Sequence, residues 1–302
     1  MHKSDITAEL VGRLIAAQFP EWAHLPLTPV DVDGWDNTTY RLGNEMSVRL
    51  PSGDGYVAQV DKEVRWLPHL APHLPLPIPE LLAVGAASDD FPRPWSVRAW
   101  LPGVPATLDS VKDLDSLAAD LAGFLATLQR VDATEGPAAG EHSHFRGAVL
   151  HIFGRQTRLA IDECASMIEP GAATEVWNAA LATTWTRPPV WVHGDVAASN
   201  LLVVNGHLSA VIDFGCSAVG DPACDLAIAW TFLDDSSRHR FAERLALDDG
   251  TWARARGWVL WKALLTVRED ADKRWEDSAA KRMGWRRSAL EILREVCATP
   301  MP

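Results

Sequence analysis

The feature that most constrains the fold of this chain is a hairpin signal at Asn205-Gly206, which separates two apolar runs. A two-residue type I′ turn needs positive φ at both central positions, and Asn-Gly accommodates this with little strain. A turn at this point predicts that Leu202 pairs with Ser209 and that Asn200 lies opposite Val211. The hairpin therefore decides which polar side chains meet at its open end.

Three oxygen-bearing side chains converge at that open end. Asn200 precedes the first predicted strand, Asp213 follows the second, and Asp195 lies in the loop that enters the same end. Amide and carboxylate oxygens suit Mg²⁺, which takes its remaining ligands from water and from substrate phosphates. A neighbouring Asp that is not a metal ligand can accept the proton of an attacking hydroxyl. These are the parts that phosphoryl transfer requires.

The spacing of these residues also matches a known motif set. Asn200 follows Asp195 at the offset found in the catalytic loop of protein kinases, and Asp213-Phe214-Gly215 reproduces their metal-binding Asp-Phe-Gly. A zinc site at His193 is disfavoured, because no second His or Cys lies nearby at ligand spacing. A metal-dependent hydrolase would need a further cluster of carboxylates or histidines, which the sequence does not show.

The pattern of apolar residues divides the chain into a smaller β-rich part and a larger helical part. It predicts a first helix that ends before Pro20, a hairpin around Gly43-Asn44, a helix over residues 56–67, a proline-rich connection over residues 68–79, and strands near residues 81–84 and 95–100. After Pro102-Gly103 the predicted helices lengthen, beginning with residues 114–128. The sequence thus predicts an α+β fold that changes character near residues 99–103.

Together these segments resemble the aminoglycoside phosphotransferase family, whose fold is similar to that of protein kinases. The resemblance is most specific over residues 190–227 and is supported by residues 34–42, 62–68 and 121–128. It implies a bilobal protein kinase-like fold. A β-rich N-lobe with one key helix would span residues 1–101 and cover the nucleotide. A larger, mainly helical C-lobe would span residues 102–302 and carry the catalytic loop and the acceptor site.

The resemblance implies a role for each residue of the catalytic stretch. Asp195 would be the catalytic base, and His193 would orient its loop. Asn200 and Asp213 would hold Mg²⁺ against the phosphates.

A further carboxylate would brace the catalytic loop by hydrogen bonds, and both Asp225 and Asp221 are candidates for this role. ATP or GTP would lie against the N-terminal half, where the backbone of Ala99, Trp100 and Leu101 would receive the purine ring. Asn37 lies in the hairpin of residues 34–42 that would cover the nucleotide, although this hairpin lacks the full Gly-x-Gly-x-x-Gly pattern.

In the N-terminal half, the resemblance assigns phosphate binding to Arg49, at a strand position where the family normally has Lys. Its partner would be Glu63, which borders the apolar stripe of the helix predicted over residues 56–67 and can point inward. An Arg can clamp phosphate oxygens bidentately, so the substitution preserves the role. The alternative is that Arg49 is an ordinary surface residue of a strand.

A protein substrate is disfavoured. Gly194 replaces the Arg of the kinase His-Arg-Asp motif, and few residues separate Gly215 from Gly220, which leaves little room for an activation segment. The resemblance therefore implies transfer of the γ-phosphoryl group of ATP or GTP to a hydroxyl of an aminoglycoside-type antibiotic. The alternatives are an acceptor such as a macrolide, a choline-like alcohol or a sugar, and a nucleotide-binding protein without transfer activity.

A polycationic acceptor would need carboxylates, and the C-terminal region offers several. The candidates are Asp234-Asp235, Asp248-Asp249 and Glu269-Asp270 with Asp272. Helical faces of mixed charge are usually just solvated, so these clusters are weak indicators. The tryptophans of the same region could stack on rings of the acceptor, but tryptophan at helical spacing is more often core. They are Trp252, Trp258, Trp261, Trp275 and Trp285.

Charge and composition limit the partners. Lys and Arg number 28 against 40 Asp and Glu, a net charge of −12, which repels nucleic acid and attracts cations at long range. The apolar run over residues 258–267 is interrupted by Lys262 and is too short to span a bilayer. The N-terminus does not resemble a signal peptide, and four cysteines without a Cys-x-x-Cys pair indicate a reducing compartment. We expect a cytoplasmic monomer that binds small molecules, with no nucleic acid or membrane partner.

Overall fold

A computed structural model describes residues 2–30, 34 and 36–298 of the chain. Trp35, in the hairpin of residues 34–42, lies outside the described residues, as do the last four residues. The chain forms two compact units: Met1–His73 with Pro77–Pro102, and Leu74–Leu76 with Gly103–Pro302. The first contains an antiparallel sheet with two α-helices, and the second is mainly helical, as the α+β prediction requires.

The first unit is built on a five-stranded antiparallel sheet. Its elements are helix α1 (Ala8–Gln18), strands β1 (Leu27–Pro29), β2 (Asn37–Leu42) and β3 (Met46–Pro51), helix α2 (Val57–Leu70), and strands β4 (Leu81–Gly85) and β5 (Trp95–Ala99). The strand order is β1-β2-β3-β5-β4. The predicted hairpin joins β2 to β3, with Gly43 at φ +60° in the turn.

The core of this unit lies between the sheet and α1. Thr7 caps α1 by accepting a hydrogen bond from the amide of Leu10, and the apolar stripe of the helix is buried. That stripe, Leu10, Val11, Leu14 and Ile15, forms one cluster with Leu42, Val48, Leu50, Trp95 and Val97 of the sheet. The apolar residues that recur at helical spacing in this segment therefore form one side of the core.

Helix α2 is longer than the sequence predicts. The sequence predicts a proline-rich connection from residue 68 onward, but α2 includes Pro68 and ends at Leu70. Proline lacks one backbone donor, which weakens a helix interior. Leu67 and Leu70 are buried, and the amide of Ala71 bonds the carbonyl of Leu67, so packing and the next hydrogen bond hold the last turn.

The second unit contains eight α-helices and five short strands within the described residues. The helices are α3 (Leu114–Leu128), α4 (Gly154–Glu163), α5 (Pro170–Leu181), α6 (Ile228–Thr231), α7 (Asp235–Leu245), α8 (Asp249–Glu269), α9 (Ala279–Arg282) and α10 (Ala289–Ala298). The strands are β6 (Val104–Pro105), β7 (Val190–Val192), β8 (Leu201–Val204), β9 (His207–Val211) and β10 (Ala218–Gly220). Helix α8 packs against α4, α5 and α10, and α3 packs against α7.

The hairpin that organises the site joins β8 to β9 through Asn205-Gly206, both at positive φ. Its register corrects the sequence prediction, because Leu202 pairs with Ala210 and not with Ser209, and Val211 pairs with Leu201 and not with Asn200. A register shift between Leu202 and Val203 takes up the extra residue. The Ser209 hydroxyl instead donates to the Leu202 carbonyl at 3.0 Å.

No helix in the described part of the chain is long and apolar enough to cross a membrane.

The contact between β10 and the loop before α4 leaves no room for a side chain at Gly220. A Cβ there would lie 2.2 Å from the backbone carbonyl oxygen of Gly147. We expect Gly220→Ala to lower the free energy of unfolding by about 1–3 kcal/mol, the usual effect of overpacking. Chemical denaturation of the full chain measures this.

Gly171→Ala is the matched control, because a Cβ at Gly171 in α5 meets nothing within 4 Å. Alanine stabilises helices relative to glycine, so this variant should be neutral or slightly more stable. Equal destabilisation by both variants would contradict the packing argument.

Candidate active site

The loop after β7 is fixed at its root by one buried carboxylate. Asp225 accepts the amide N–H of His193 at 2.8 Å on Oδ2 and that of Gly194 at 2.7 Å on Oδ1. Asp225 is 1% exposed. Burial raises the pKa of this carboxyl, although His193 and the two backbone donors favour its ionised form. Of the two candidates named for bracing the loop, Asp225 makes these bonds.

Asp221 has a different partner. Its carboxylate receives Nε and Nη2 of Arg254 at 2.5 and 3.3 Å, and both side chains are at most 10% exposed. It also accepts the amide of Ala223, at the start of the turn that carries Asp225. Asp221 therefore ties that turn to α8.

The residue between His193 and Asp195 has to be glycine. Gly194 lies at φ +84°, a region that side chains disfavour, and a Cβ there would approach the Cys216 carbonyl oxygen to 2.2 Å. This contact explains in local terms why the His-Arg-Asp sequence of protein kinases is absent here.

His193 is completely buried and links the loop after β7 to Ile212, the residue after β9. Its Nδ1 accepts the amide N–H of Asp195 at 3.2 Å, so Nε2 carries the proton and donates to the Ile212 carbonyl at 3.0 Å. The ring also packs edge-on against Phe214 at 4.6 Å between centroids. The orienting role implied for His193 thus has a geometric basis in three contacts.

Asn200 is turned toward Asp195. Its Nδ2 donates to the Asp195 carbonyl at 2.9 Å and to Oδ2 of the same residue at 3.3 Å. Because Nδ2 points to Asp195, Oδ1 points the other way, and within the described residues it has no hydrogen-bond donor. The backbone carbonyl of Asn200 accepts the Ile212 amide at 2.9 Å, which brings the start of β8 beside the end of β9.

Asp213 lies two residues after the end of β9, in a left-handed conformation with φ 68° and ψ 67°. A non-glycine residue in this region is uncommon, and such strain clusters at functional sites. An available amide oxygen of Asn200 and the carboxylate of Asp213, at adjoining strand ends, form a donor set that fits Mg²⁺.

Asp195 makes an ion pair that the sequence does not predict. Its Oδ1 lies 3.3 Å from Nζ of Lys262 in α8, and its side chain is 36% exposed. Burial raises the pKa of the Asp195 carboxyl, but Lys262, Arg146 and His193 outweigh this effect and hold it below the usual value. Asp195 is therefore ionised and able to accept a proton.

In the first unit, Glu63 is the partner of two arginines. Arg49 Nη1 lies 3.7 Å from Glu63 Oε1, as the predicted pairing required. Arg98, which was not predicted, makes the stronger contact, since Nη1 and Nη2 donate to the two Glu63 oxygens at 3.2 and 2.6 Å. Arg98 and Glu63 are buried, whereas the Arg49 side chain is 14% exposed.

The segment expected to receive the purine ring follows β5. The amides of Ala99 and Trp100 bond the carbonyls of Glu80 and Glu45 at 2.9 and 2.7 Å. The Leu101 amide has no acceptor in the part of the chain that the structure describes. Asn37 begins β2 and is buried, with its carbonyl accepting a hydrogen bond from Lys3.

The acidic clusters considered as binding sites for a polycationic acceptor have structural roles. Asp234 and Asp248 cap α7 and α8, each accepting a backbone amide three residues on. Asp270 accepts the amides of Ala279 and Ala280, and Glu269 is paired with Lys273 and Arg282. Four of the five tryptophans are buried, and Trp275 is 37% exposed.

Comparison with solved structures defines the fold. The GDP and kanamycin complex of APH(2″)-IIIa matches with a TM-score of 0.71 at 19% identity, over 95% of this chain and 98% of that one. The macrolide 2′-phosphotransferase MphH from Brachybacterium faecium, without ligand, matches with a TM-score of 0.57 at 22% identity, over 92% and 93%. The fold is that of the kinase-like aminoglycoside phosphotransferases.

Sequence comparison identifies the family. The model of the phosphotransferase enzyme family matches residues 27–258, about three quarters of the chain. The chain belongs to this family. An aminoglycoside 3′-phosphotransferase from Escherichia coli is 34% identical over 76 residues, which is 25% of this chain and 28% of that protein.

Sequence reasoning missed Lys262, Arg98 and Arg146, and one of these had a visible signal. Lys262 interrupts the apolar run of residues 258–267, and an isolated cation in a buried helix needs a partner. That partner, Asp195, lies 67 positions away. Nothing local in the sequence pairs Arg98 with Glu63 or Arg146 with this site.

Asp225→Asn tests the brace at the loop root. An amide has one acceptor oxygen, so one of the two backbone N–H groups would face an NH₂ group and lose its partner. We expect a loss of about 1–3 kcal/mol in unfolding free energy, measured by chemical denaturation.

Asp234→Asn serves as the control, because Asn and Asp are comparable N-cap residues. A full effect from Asp234→Asn, or none from Asp225→Asn, would contradict the assigned role of Asp225.

Proposed function

We propose that this protein transfers the γ-phosphoryl group of ATP or GTP, with Mg²⁺, to a hydroxyl of a small molecule. The observation that carries the proposal is the geometry around Asp195. Its ionised carboxylate is partly exposed, and Asn200 is bonded to it. His193 joins the loop of Asp195 to Ile212, the residue before Asp213.

Asp195 acts as the general base. Its carboxylate accepts the proton of the acceptor hydroxyl as the oxygen bonds to the γ-phosphorus. The bond from that phosphorus to the bridging oxygen breaks, and its electron pair leaves with the nucleoside diphosphate. The Asn200 amide and the buried His193 hold the carboxylate in place during proton transfer.

Asn200 Oδ1 and the Asp213 carboxylate are the groups that would hold Mg²⁺. When bound, the ion would neutralise phosphate charge and orient the γ-phosphoryl group. The strand pairing of β8 with β9 and the bond between Ile212 and Asn200 fix the two ligand residues relative to each other.

Nucleotide binding is assigned to the first unit. The unused amide of Leu101 can donate to a purine nitrogen, while those of Ala99 and Trp100 are engaged. Arg98 contacts Glu63 at closer range than Arg49 does, and the charged fork of the Arg49 guanidinium is the group we assign to the phosphate oxygens. Structures of related aminoglycoside phosphotransferases with GDP, ADP or ATP support a nucleotide donor of either base.

The names of the similar structures support an antibiotic acceptor, either an aminoglycoside or a macrolide. The acidic clusters of the C-terminal region do not favour the polycation, because most of their carboxylates cap helices or pair with local cations. The direct test is release of nucleoside diphosphate from ATP and GTP with panels of aminoglycosides, macrolides, sugars and small alcohols.

Asp195→Asn should reduce acceptor-stimulated turnover by about 10²–10⁴-fold, the usual contribution of a general base. Nucleotide affinity should change little, because Asn keeps the shape of the side chain. Steady-state kinetics and nucleotide titration measure the two quantities separately.

Asp235→Asn is the control, since Asp235 is an exposed residue at the start of α7. Unchanged turnover in Asp195→Asn would refute the base assignment. Measurable nucleotide binding with no acceptor-stimulated turnover in the wild type would support a binding protein without transfer activity.

Asp213→Ala should abolish the part of nucleotide affinity that depends on Mg²⁺, because it removes the charged ligand of the proposed ion. Titration of the nucleotide with Mg²⁺ and with EDTA measures this difference. A magnesium dependence equal to that of the wild type would show that Asp213 does not hold the ion.

A further inference from the structure

A cationic cluster lies beside Asp195 in the second unit. The cleft next to the carboxylate is lined by two cations, Arg146 and Lys262, by the rings of Trp258 and Trp261, and by smaller side chains of the catalytic loop and the turn around Cys224. Asp195 contributes one negative charge. The groups that line this cleft therefore carry a net positive charge.

The guanidinium of Arg146 packs against two aromatic rings and makes no ion pair with another described residue, although the charge of Asp195 lies in the same cleft. It lies over Trp258 at 5.4 Å and over Trp261 at 4.8 Å from the ring centroids. Its Nη1 is buried and has no hydrogen-bond partner among the described residues. A buried charged donor without an acceptor is costly, and an anion that enters the cleft would relieve that cost.

The backbone that presents Arg146 is strained. His144 and Phe145, immediately before it, both lie in the left-handed region at φ 48° and 58°, and Gly147 follows at φ 83°. Two successive non-glycine residues in this region are unfavourable, and such strain clusters at ligand sites. Arg146 is therefore held in place against a local conformational preference.

Lys262 approaches from helix α8, four residues after Trp258 and thus on the same helical face. Its ammonium group is 3.3 Å from Asp195 Oδ1, and its side chain is 21% exposed. The loop between Asp195 and Asn200 contains no charged residue of its own. Lys262 is thus a partly exposed cation whose ammonium group a ligand anion can share with the carboxylate.

We propose that Arg146 and Lys262, framed by Trp258 and Trp261, form an anion-binding subsite for the acceptor. The acceptor would then be a hydroxyl compound that carries a carboxylate or a comparable anionic group, and not a polycation. The inference rests on the proposed function, because it assigns the substrate class of the same site. Binding of the anion would also take Lys262 from Asp195 and expose Oδ1 to the acceptor hydroxyl.

Matched acceptor probes test this without turnover. Gluconate and glucitol share a six-carbon polyol skeleton and differ in one terminal carboxylate. The unfolding temperature of the full chain, without nucleotide and at constant ionic strength, reports the binding of each compound to the folded state. We expect gluconate to bind at least about tenfold more tightly than glucitol, the effect of one charge-assisted contact.

Variants assign the effect to the subsite. Arg146→Gln and Lys262→Gln should each remove the preference for gluconate, and Lys262→Arg should retain it because the charge is kept. Arg240→Gln, an exposed cation of α7, is the matched control and should behave as the wild type. Loss of the preference in Arg240→Gln as well would assign it to overall charge and overturn the proposal.

Inorganic phosphate and kanamycin are two further probes. They test whether the cluster binds a phosphoryl group, and whether the site prefers a polycation. If inorganic phosphate binds through Arg146 and Lys262 while gluconate does not, the cluster serves the transferred phosphoryl group and the proposal is wrong. Tighter saturable binding of kanamycin than of gluconate to the wild type would also overturn it. Since no nucleotide is present, these outcomes are independent of whether the chain transfers phosphate, which the Asp195→Asn kinetics decide.

Discussion

The pair of hydrogen bonds from the amides of His193 and Gly194 to the buried Asp225 carboxylate is the interaction on which the site depends. A carboxylate with two oxygens can hold two adjacent N–H groups, and burial makes each bond costly to break. The loop root is thereby fixed. Asp195, the next residue, then has a defined direction into the cleft.

A second constraint passes through the imidazole of His193. One ring nitrogen accepts a hydrogen bond from the amide of Asp195, and the other donates to the carbonyl of Ile212. The same rigid ring therefore positions the backbone of the proposed base and of the residue before Asp213, a proposed metal ligand. Asn200 closes the arrangement by bonding Asp195 through its side chain and Ile212 through its backbone. The chemistry is therefore supported by groups that do not touch the reacting atoms.

Charge acts differently at long and at short range in this protein. The net charge of −12 attracts cations at a distance, whereas Lys262 contacts Asp195 and Arg146 lines the same cleft with a second positive charge. Screening weakens the distant charges, so the charges that line the cleft dominate its local field. The acidic clusters of the C-terminal region illustrate the same point, since most of their carboxylates are used to cap or pair helices.

The sequence by itself determined the local features: the β8–β9 hairpin at Asn205-Gly206, the first helix, the α+β class and the Asp195–Asn200 offset. These follow from turn chemistry and periodicity, which act between near neighbours. The tertiary structure decided the bulge at Leu202, the choice of Asp225 over Asp221, and the pairing of Lys262 with Asp195 and of Arg98 with Glu63. Each of these depends on which buried polar groups can satisfy one another across distant segments, and that is settled only when the segments pack together.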